Sequence, residues 1–215
     1  MIKIANNLIR IIKNYKFSIF TTMFFELVYL LKGYKGNRFN FSNDDSMADN
    51  LPCPYYFLFK IKKALKNQNF YNFLDLGCGS GRVIYFFNKN FPDKNLTGIE
   101  YFNNQFEYCK KIFHGKKNIK IIQADFTKSD FFQYNADCYF FNGPFKKDLE
   151  FTKCVEKITN FSLNKKQSLL IFVNHNKKII DELKNIRCIE SFYVSNIKGY
   201  SICRLNDDSA QFKLN

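Results

Sequence analysis

Residues 70–83 read Phe70-Tyr71-Asn72-Phe73-Leu74-Asp75-Leu76-Gly77-Cys78-Gly79-Ser80-Gly81-Arg82-Val83, and this stretch constrains the fold more than any other. Phe70 to Leu76 has the length and apolar content of a buried strand. Three glycines at alternate positions, Gly77, Gly79 and Gly81, then open directly onto a helix-like stretch from Arg82 to Phe87. Without Cβ atoms such a turn lets a ligand approach the backbone, and the free N–H groups of the helix start point toward it. Strand, turn and helix together make a place for a charged ligand.

The rest of the chain alternates in the same way. Strands are predicted over 71–76, 96–100, 119–123, 136–141 and 168–174. Helices are predicted over 55–66, 82–90, 103–113 and 146–161, with a short turn near 129–132. This βαβα pattern implies a parallel sheet covered by helices on both faces. Near the end, Ile186–Ser195 and Tyr200–Leu205 flank Asn196-Ile197-Lys198-Gly199 as a hairpin, so the last strand is expected to run antiparallel. At 215 residues the chain can form one domain with a sizeable core, and we divide it into an N-terminal arm and loop, 1–50, and a main domain, 51–215.

Charge and cysteine usage narrow the partners. A net charge of +14 would ordinarily suggest nucleic acid or an anionic surface. Only five of the 33 basic residues are Arg, however: Arg10, Arg38, Arg82, Arg187 and Arg204. Arg is the better residue for bidentate phosphate and base contacts, so nucleic acid is not the favoured partner and a solvated Lys surface is. The seven cysteines form no C-x-x-C pair and several lie in apolar runs. They read as reduced, buried thiols of a cytoplasmic protein, with no disulfide framework and no metal site.

Residues 4–19 place Ile4, Leu8, Ile11, Ile12, Tyr15 and Ile19 at helical spacing, with Asn6, Asn7, Arg10, Lys13 and Asn14 on the other side. Phe17 to Leu31 is apolar but holds Glu26 and is too short to span a bilayer. Two readings of residues 1–31 fit: a helical arm packed on the main domain, or a peripheral contact of its basic face with anionic lipid. A signal peptide is disfavoured because no small-residue cleavage site follows.

Four features single out the chemistry. The glycines are spaced G-x-G-x-G, not the G-x-G-x-x-G of dinucleotide enzymes. Asp75, two residues before the first glycine, would repel a pyrophosphate and suits a cationic ligand. The second strand ends in Ile99-Glu100, where a carboxylate can accept from two ribose hydroxyls. The third ends in Ala124-Asp125-Phe126, an acceptor and a ring for an adenine edge and face.

In this ordered set the chain resembles the class I S-adenosylmethionine-dependent methyltransferases over about residues 50–205. The resemblance implies a Rossmann-like seven-stranded, mostly parallel sheet of order 3-2-1-4-5-7-6, with strand 7 antiparallel, here carrying an N-terminal helical extension. It implies S-adenosyl-L-methionine as cofactor and S-adenosyl-L-homocysteine as product. By the same resemblance Gly77, Cys78, Gly79 and Gly81 approach the methionine part and Asp75 helps hold its amino group. Glu100 binds the ribose, Asp125 meets the adenine amino group, and Tyr101 and Phe126 flank the adenine.

The fourth strand ends in Asn142-Gly143-Pro144-Phe145, which resembles the N-P-P-[FYW] signature of amino-group methyltransferases, with Gly143 in place of the first proline. That likeness assigns Asn142, Pro144 and Phe145 to catalysis, with Asn142 also near the cofactor, and makes an amine of a protein or small molecule the expected acceptor. It resembles equally the N-P-F segment of methyltransferases encoded among cell-surface sugar genes, so O-methylation of a glycan or other small-molecule precursor is an alternative. A non-catalytic partner or RNA-binding protein built on the same fold is another. His175 follows the fifth strand and reads either as a base for an oxygen nucleophile or as a hydrogen-bonded loop histidine. The segment Leu51-Pro52-Cys53-Pro54-Tyr55-Tyr56 is expected to fold over the cofactor, with Tyr55 or Tyr56 near it.

Overall fold

A computed structural model describes residues 18–36, 52–128, 130–143, 145, 147–162 and 168–205. The expected helix over 4–19 lies almost wholly outside these residues, as does Pro144. A first helix, α1 (Ser18–Leu31), precedes α2 (Tyr55–Leu65). Then come β1 (Asn72–Leu76), α3 (Arg82–Asn90), β2 (Asn95–Glu100), α4 (Asn103–Ile112) and β3 (Ile119–Gln123). A 3₁₀ turn (Phe131–Tyr134) leads to β4 (Cys138–Asn142), α5 (Asp148–Ser162), β5 (Leu169–Val173), α6 (Lys177–Glu182), β6 (Ile186–Ser195) and β7 (Lys198–Leu205).

The seven strands form one sheet of order β3-β2-β1-β4-β5-β7-β6. Strands β1 to β5 pair in parallel, and β7 runs antiparallel to both β5 and β6. The central strands are apolar on both faces because both are covered. Phe73, Phe140 and Ile171 face a core shared with α2 and α3, whereas Leu74, Phe141 and Phe172 face one shared with α5 and α6. Rings fill much of the first core; Phe73 stacks on Phe87 with centroids 4.1 Å apart.

Two elements differ from expectation. α6 falls where no helix is predicted; six residues with one fully buried side chain, Ile180, leave too little periodicity to read. It is capped by Asn176, whose side chain accepts from the Lys178 N–H at 3.1 Å. β7 begins at Lys198, so only Asn196 and Ile197 form the turn. Gly199 belongs to the strand because its backbone crosses so close to Phe192 that a Cβ would fall 2.2 Å from that carbonyl oxygen.

α1 lies against α2. Its Phe25 packs on Phe59 and Tyr56, and its Tyr29 stacks on Tyr55 with centroids 4.6 Å apart. Among the described residues, no helix is long and apolar enough to cross a membrane.

Candidate active site

Parallel pairing brings the carboxyl ends of β1, β2, β3, β4 and β5 to one edge of the sheet. The strand order reverses between β1 and its two neighbours, and ligands of open α/β sheets bind at such a point. A small, partly open cavity lies there. Asp75, Gly77, Cys78 and Asn142, all expected at the site, line it. Pro52, Cys53, Ser80, Arg82 and Val83 complete the wall.

Asp75 sits on the same face of β1 as Phe73, so the covering helices bury it almost completely. Its Oδ2 has no hydrogen-bond partner. Burial, reinforced by the nearby Glu100 charge, pushes its carboxyl well above the usual range. A buried acceptor left unmet is costly, and a positively charged donor would relieve it.

Glu100 is buried behind the glycine turn. Its Oε2 accepts from the Gly79 N–H at 2.7 Å and its Oε1 from the Phe102 N–H at 2.8 Å. Burial raises its pKa despite these bonds. In this arrangement Glu100 braces the turn, with the Tyr101 N–H as a third backbone donor, and a carboxylate with four lone-pair sites retains one for a further ligand. The thiol of Cys109 donates to the Gly79 carbonyl at 3.0 Å, and Gly81 is buried against Cys109 and Phe113. Hydrogen bonding with Cys109, then burial, raises Cys78, so its thiol, packed against Gly98, stays neutral.

Asp125 and the aromatic residues lie around this centre, outside the cavity wall. Asp125 Oδ1 accepts from the Thr127 N–H at 3.1 Å and from its hydroxyl at 2.6 Å, while Lys128 approaches Oδ2 at 3.2 Å. Burial alone would raise this carboxyl; the bonds from Thr127 and Lys128 outweigh it and hold it below the usual range. Phe126 meets Phe145 edge-on at 5.4 Å, joining the ends of β3 and β4. Tyr101 is half exposed and touches Phe102.

At the end of β4, Asn142 Oδ1 accepts from Asn174 Nδ2 at 2.9 Å. Asn174, just past β5, holds a left-handed backbone at φ 57°, and its own Oδ1 is buried without a partner. Gly143 has φ 54°. Proline is fixed near −65°, so this turn cannot adopt the backbone of the N-P-P signature. The likeness there is one of residue type and not of main-chain path.

His175 is not at the cavity. Its ring stacks on Phe151 with centroids 4.1 Å apart, Nε2 has no partner, and burial pushes its pKa down to about 3. Nor do Tyr55 and Tyr56 line the cavity. Helix α2 starts at Tyr55 and turns that ring onto Tyr29 and Tyr56 onto Phe25 and Phe192, so Pro52 and Cys53 form the wall instead. All seven cysteines are free, and Cys188 is exposed where a buried thiol was expected.

Sequence reasoning missed the cation of the site. Arg82 opens α3, is buried, and directs Nη1 at both Glu26 oxygens (3.0 and 2.9 Å) and at the Cys53 carbonyl (3.1 Å). Its guanidinium lies 4.5 Å from the centre of the Tyr55 ring. Glu26 also accepts from the Tyr55 N–H at 2.9 Å. The signal was present: a cation at a helix N-terminus is electrostatically unfavourable, and Glu26 interrupts an apolar run. Gly36 closes the arrangement from outside. Its carbonyl accepts from Ser80 Oγ at 2.7 Å, and a Cβ on it would fall 2.4 Å from the Arg82 nitrogen.

Comparison with known proteins places this geometry. A family model described as a methyltransferase domain matches residues 67–203, more than half the chain. No curated protein sequence matches. Among solved structures, the chain is similar to a Staphylococcus aureus protein assigned to the caffeoyl-CoA O-methyltransferases (TM-score 0.58, 20% identity, covering 73% of this chain and 86% of that one). It is also similar to an N,N-8-amino-8-demethyl-D-riboflavin dimethyltransferase from Streptomyces davawensis (0.55, 12%, 70% and 54%). A third is an S-adenosylmethionine-bound amino pentose methyltransferase from Micromonospora echinaspora (0.51, 12%, 69% and 89%). At these identities the likeness is one of fold. The unmet buried oxygen of Asp75 fits the ammonium end of such a cofactor. With the sheet order, the glycine turn and the matched family model in agreement, the chain belongs to the S-adenosylmethionine-dependent methyltransferase domains.

Proposed function

We propose that this chain methylates an amine nitrogen, of a protein or a small molecule, presented at the end of β4. The observation that carries the reading is the Asn142–Asn174 pair. Asn142 stands at the wall of the cavity that Asp75 also lines, its oxygen oriented by Asn174 Nδ2, while Asn174 Oδ1 is a buried acceptor without a partner. Acceptor oxygens suit a nucleophile that brings N–H donors, because bonding the hydrogens aims the lone pair. The bound cofactor supplies the methyl group and a good leaving group. The protein's part is alignment, which can contribute on the order of 7–11 kcal/mol.

Asp75 would hold the cofactor's ammonium, the turn at Gly77–Gly81 its methionine part, and Glu100 its ribose. Asp125 and Phe126, with Tyr101, would serve its adenine, and Phe145 the acceptor. An amine need only arrive deprotonated, whereas a hydroxyl needs a base. His175, the candidate for that role, is buried on Phe151 with a pKa of about 3, too weak a base for alcohol activation near neutrality.

The test is methyl transfer from labelled cofactor to panels of amine and hydroxyl acceptors. Transfer to amines is expected, with Asn142→Ala lowering kcat/KM by about 10- to 100-fold, as for the loss of one or two oriented hydrogen bonds. His175→Ala should leave turnover nearly intact. Transfer confined to hydroxyls and abolished by His175→Ala would overturn the reading.

A further inference from the structure

We propose that α1 docks this chain on an anionic phospholipid surface. The helix is apolar on both faces. The face toward the domain holds Phe25, Tyr29 and the charged Glu26, whose carboxylate is bound to Arg82 and to the Tyr55 N–H. The opposite face presents Phe20, Met23, Phe24, Leu27, Leu30 and Leu31, each between 55% and 78% exposed. These positions recur every three or four residues and so form one stripe along the helix. Surface apolar residues scattered singly need no explanation; six large ones on a single helix face mark an interaction site.

Charge selects the occupant. The 43 residues from Met1 to Asn43 contain seven Lys and Arg against one acid, Glu26, and that acid is neutralised by Arg82. Lys16 stands just before the helix, and Lys32 and Lys35 just after it. An apolar stripe with cations at both ends matches the interface of an anionic bilayer, where acyl chains lie beneath negative headgroups. A second copy meeting stripe to stripe would instead bring two such cationic segments together. The 14 described residues of the helix span about 21 Å, short of the roughly 30 Å hydrocarbon core, and the proposal places them in the interface.

The stripe does not touch the cavity, so the proposal stands or falls apart from the choice of acceptor. Flotation of the full chain with mixed phosphatidylglycerol–phosphatidylcholine vesicles, and with phosphatidylcholine alone, tests it. The chain is expected to float with the anionic vesicles at low salt and to be released as salt rises. The double substitution Phe24→Ser, Leu27→Ser alters only solvent-facing side chains. It should lower the partition coefficient about tenfold or more, with Tm unchanged. Absence of flotation at low salt, or equal flotation of parent and double variant, would overturn the proposal. So would sedimentation showing that the parent is a dimer which the double variant dissolves, since that would assign the stripe to a second copy.

Discussion

Asp75 carries the clearest tension between stability and binding. Its folded pKa is raised by burial, whereas an unfolded Asp titrates near 3.9. The folded chain therefore binds the proton more tightly, and stability falls as pH rises from about 4 through the raised folded value. Asp75→Asn is expected to stabilise the cofactor-free protein at neutral pH by about 1–2 kcal/mol, seen in thermal unfolding. Calorimetry should show the same substitution weakening cofactor binding about tenfold or more. His175 has the opposite sign. Its folded pKa of about 3 lies below the unfolded value near 6.5, so stability falls as pH drops through that interval. His175→Phe, which keeps the stack on Phe151, should flatten the dependence of urea midpoint on pH between about 3 and 6.5. At this scale the residues singled out by spacing and by the family resemblance include four that line the cavity, Asp75, Gly77, Cys78 and Asn142. Arg82 and Glu26 each stood out as misplaced charges, but their pairing across 56 positions was not legible, nor was the left-handed turn at Gly143.

The elements themselves were legible because two-sided burial makes β1, β4 and β5 continuous apolar runs, bounded by turn residues. α6 was not legible, since one buried side chain defines no period. The attachment of α1 to α3 depends on a long-range ion pair that no local pattern announces. Arg82 is buried whereas Glu26 is 35% exposed, so breaking the pair falls between a surface and a fully buried case. Glu26→Ala is expected to cost about 2–4 kcal/mol in urea unfolding, chiefly by leaving Arg82 buried without a counter-charge. Combining it with Arg82→Met should recover part of that loss, a coupling that a double-mutant cycle would read directly.

Across the molecule, the parallel sheet followed from alternation and the antiparallel β7 from the hairpin at residues 186–205, whereas the strand order was expected only from the resemblance to the methyltransferase family. Among the described residues, two of the three Arg are engaged internally: Arg82 with Glu26, and Arg204 with Gln68 at 2.6 Å. The basic surface therefore rests still more heavily on Lys than composition alone indicates. The outer covering of the glycine turn has one more consequence. Glu26, Gly36, Pro52 and Cys53 all precede residue 67, where the family match begins, as do the fully buried Phe57, Leu58 and Ile61 of α2. The smallest autonomous unit is thus larger than the recognisable one. A polypeptide trimmed to 67–205 is expected to lose its cooperative melting transition, while one spanning 18–205 keeps it. Differential scanning calorimetry of the two would show that the pocket's outer wall is folded by residues the family pattern does not include.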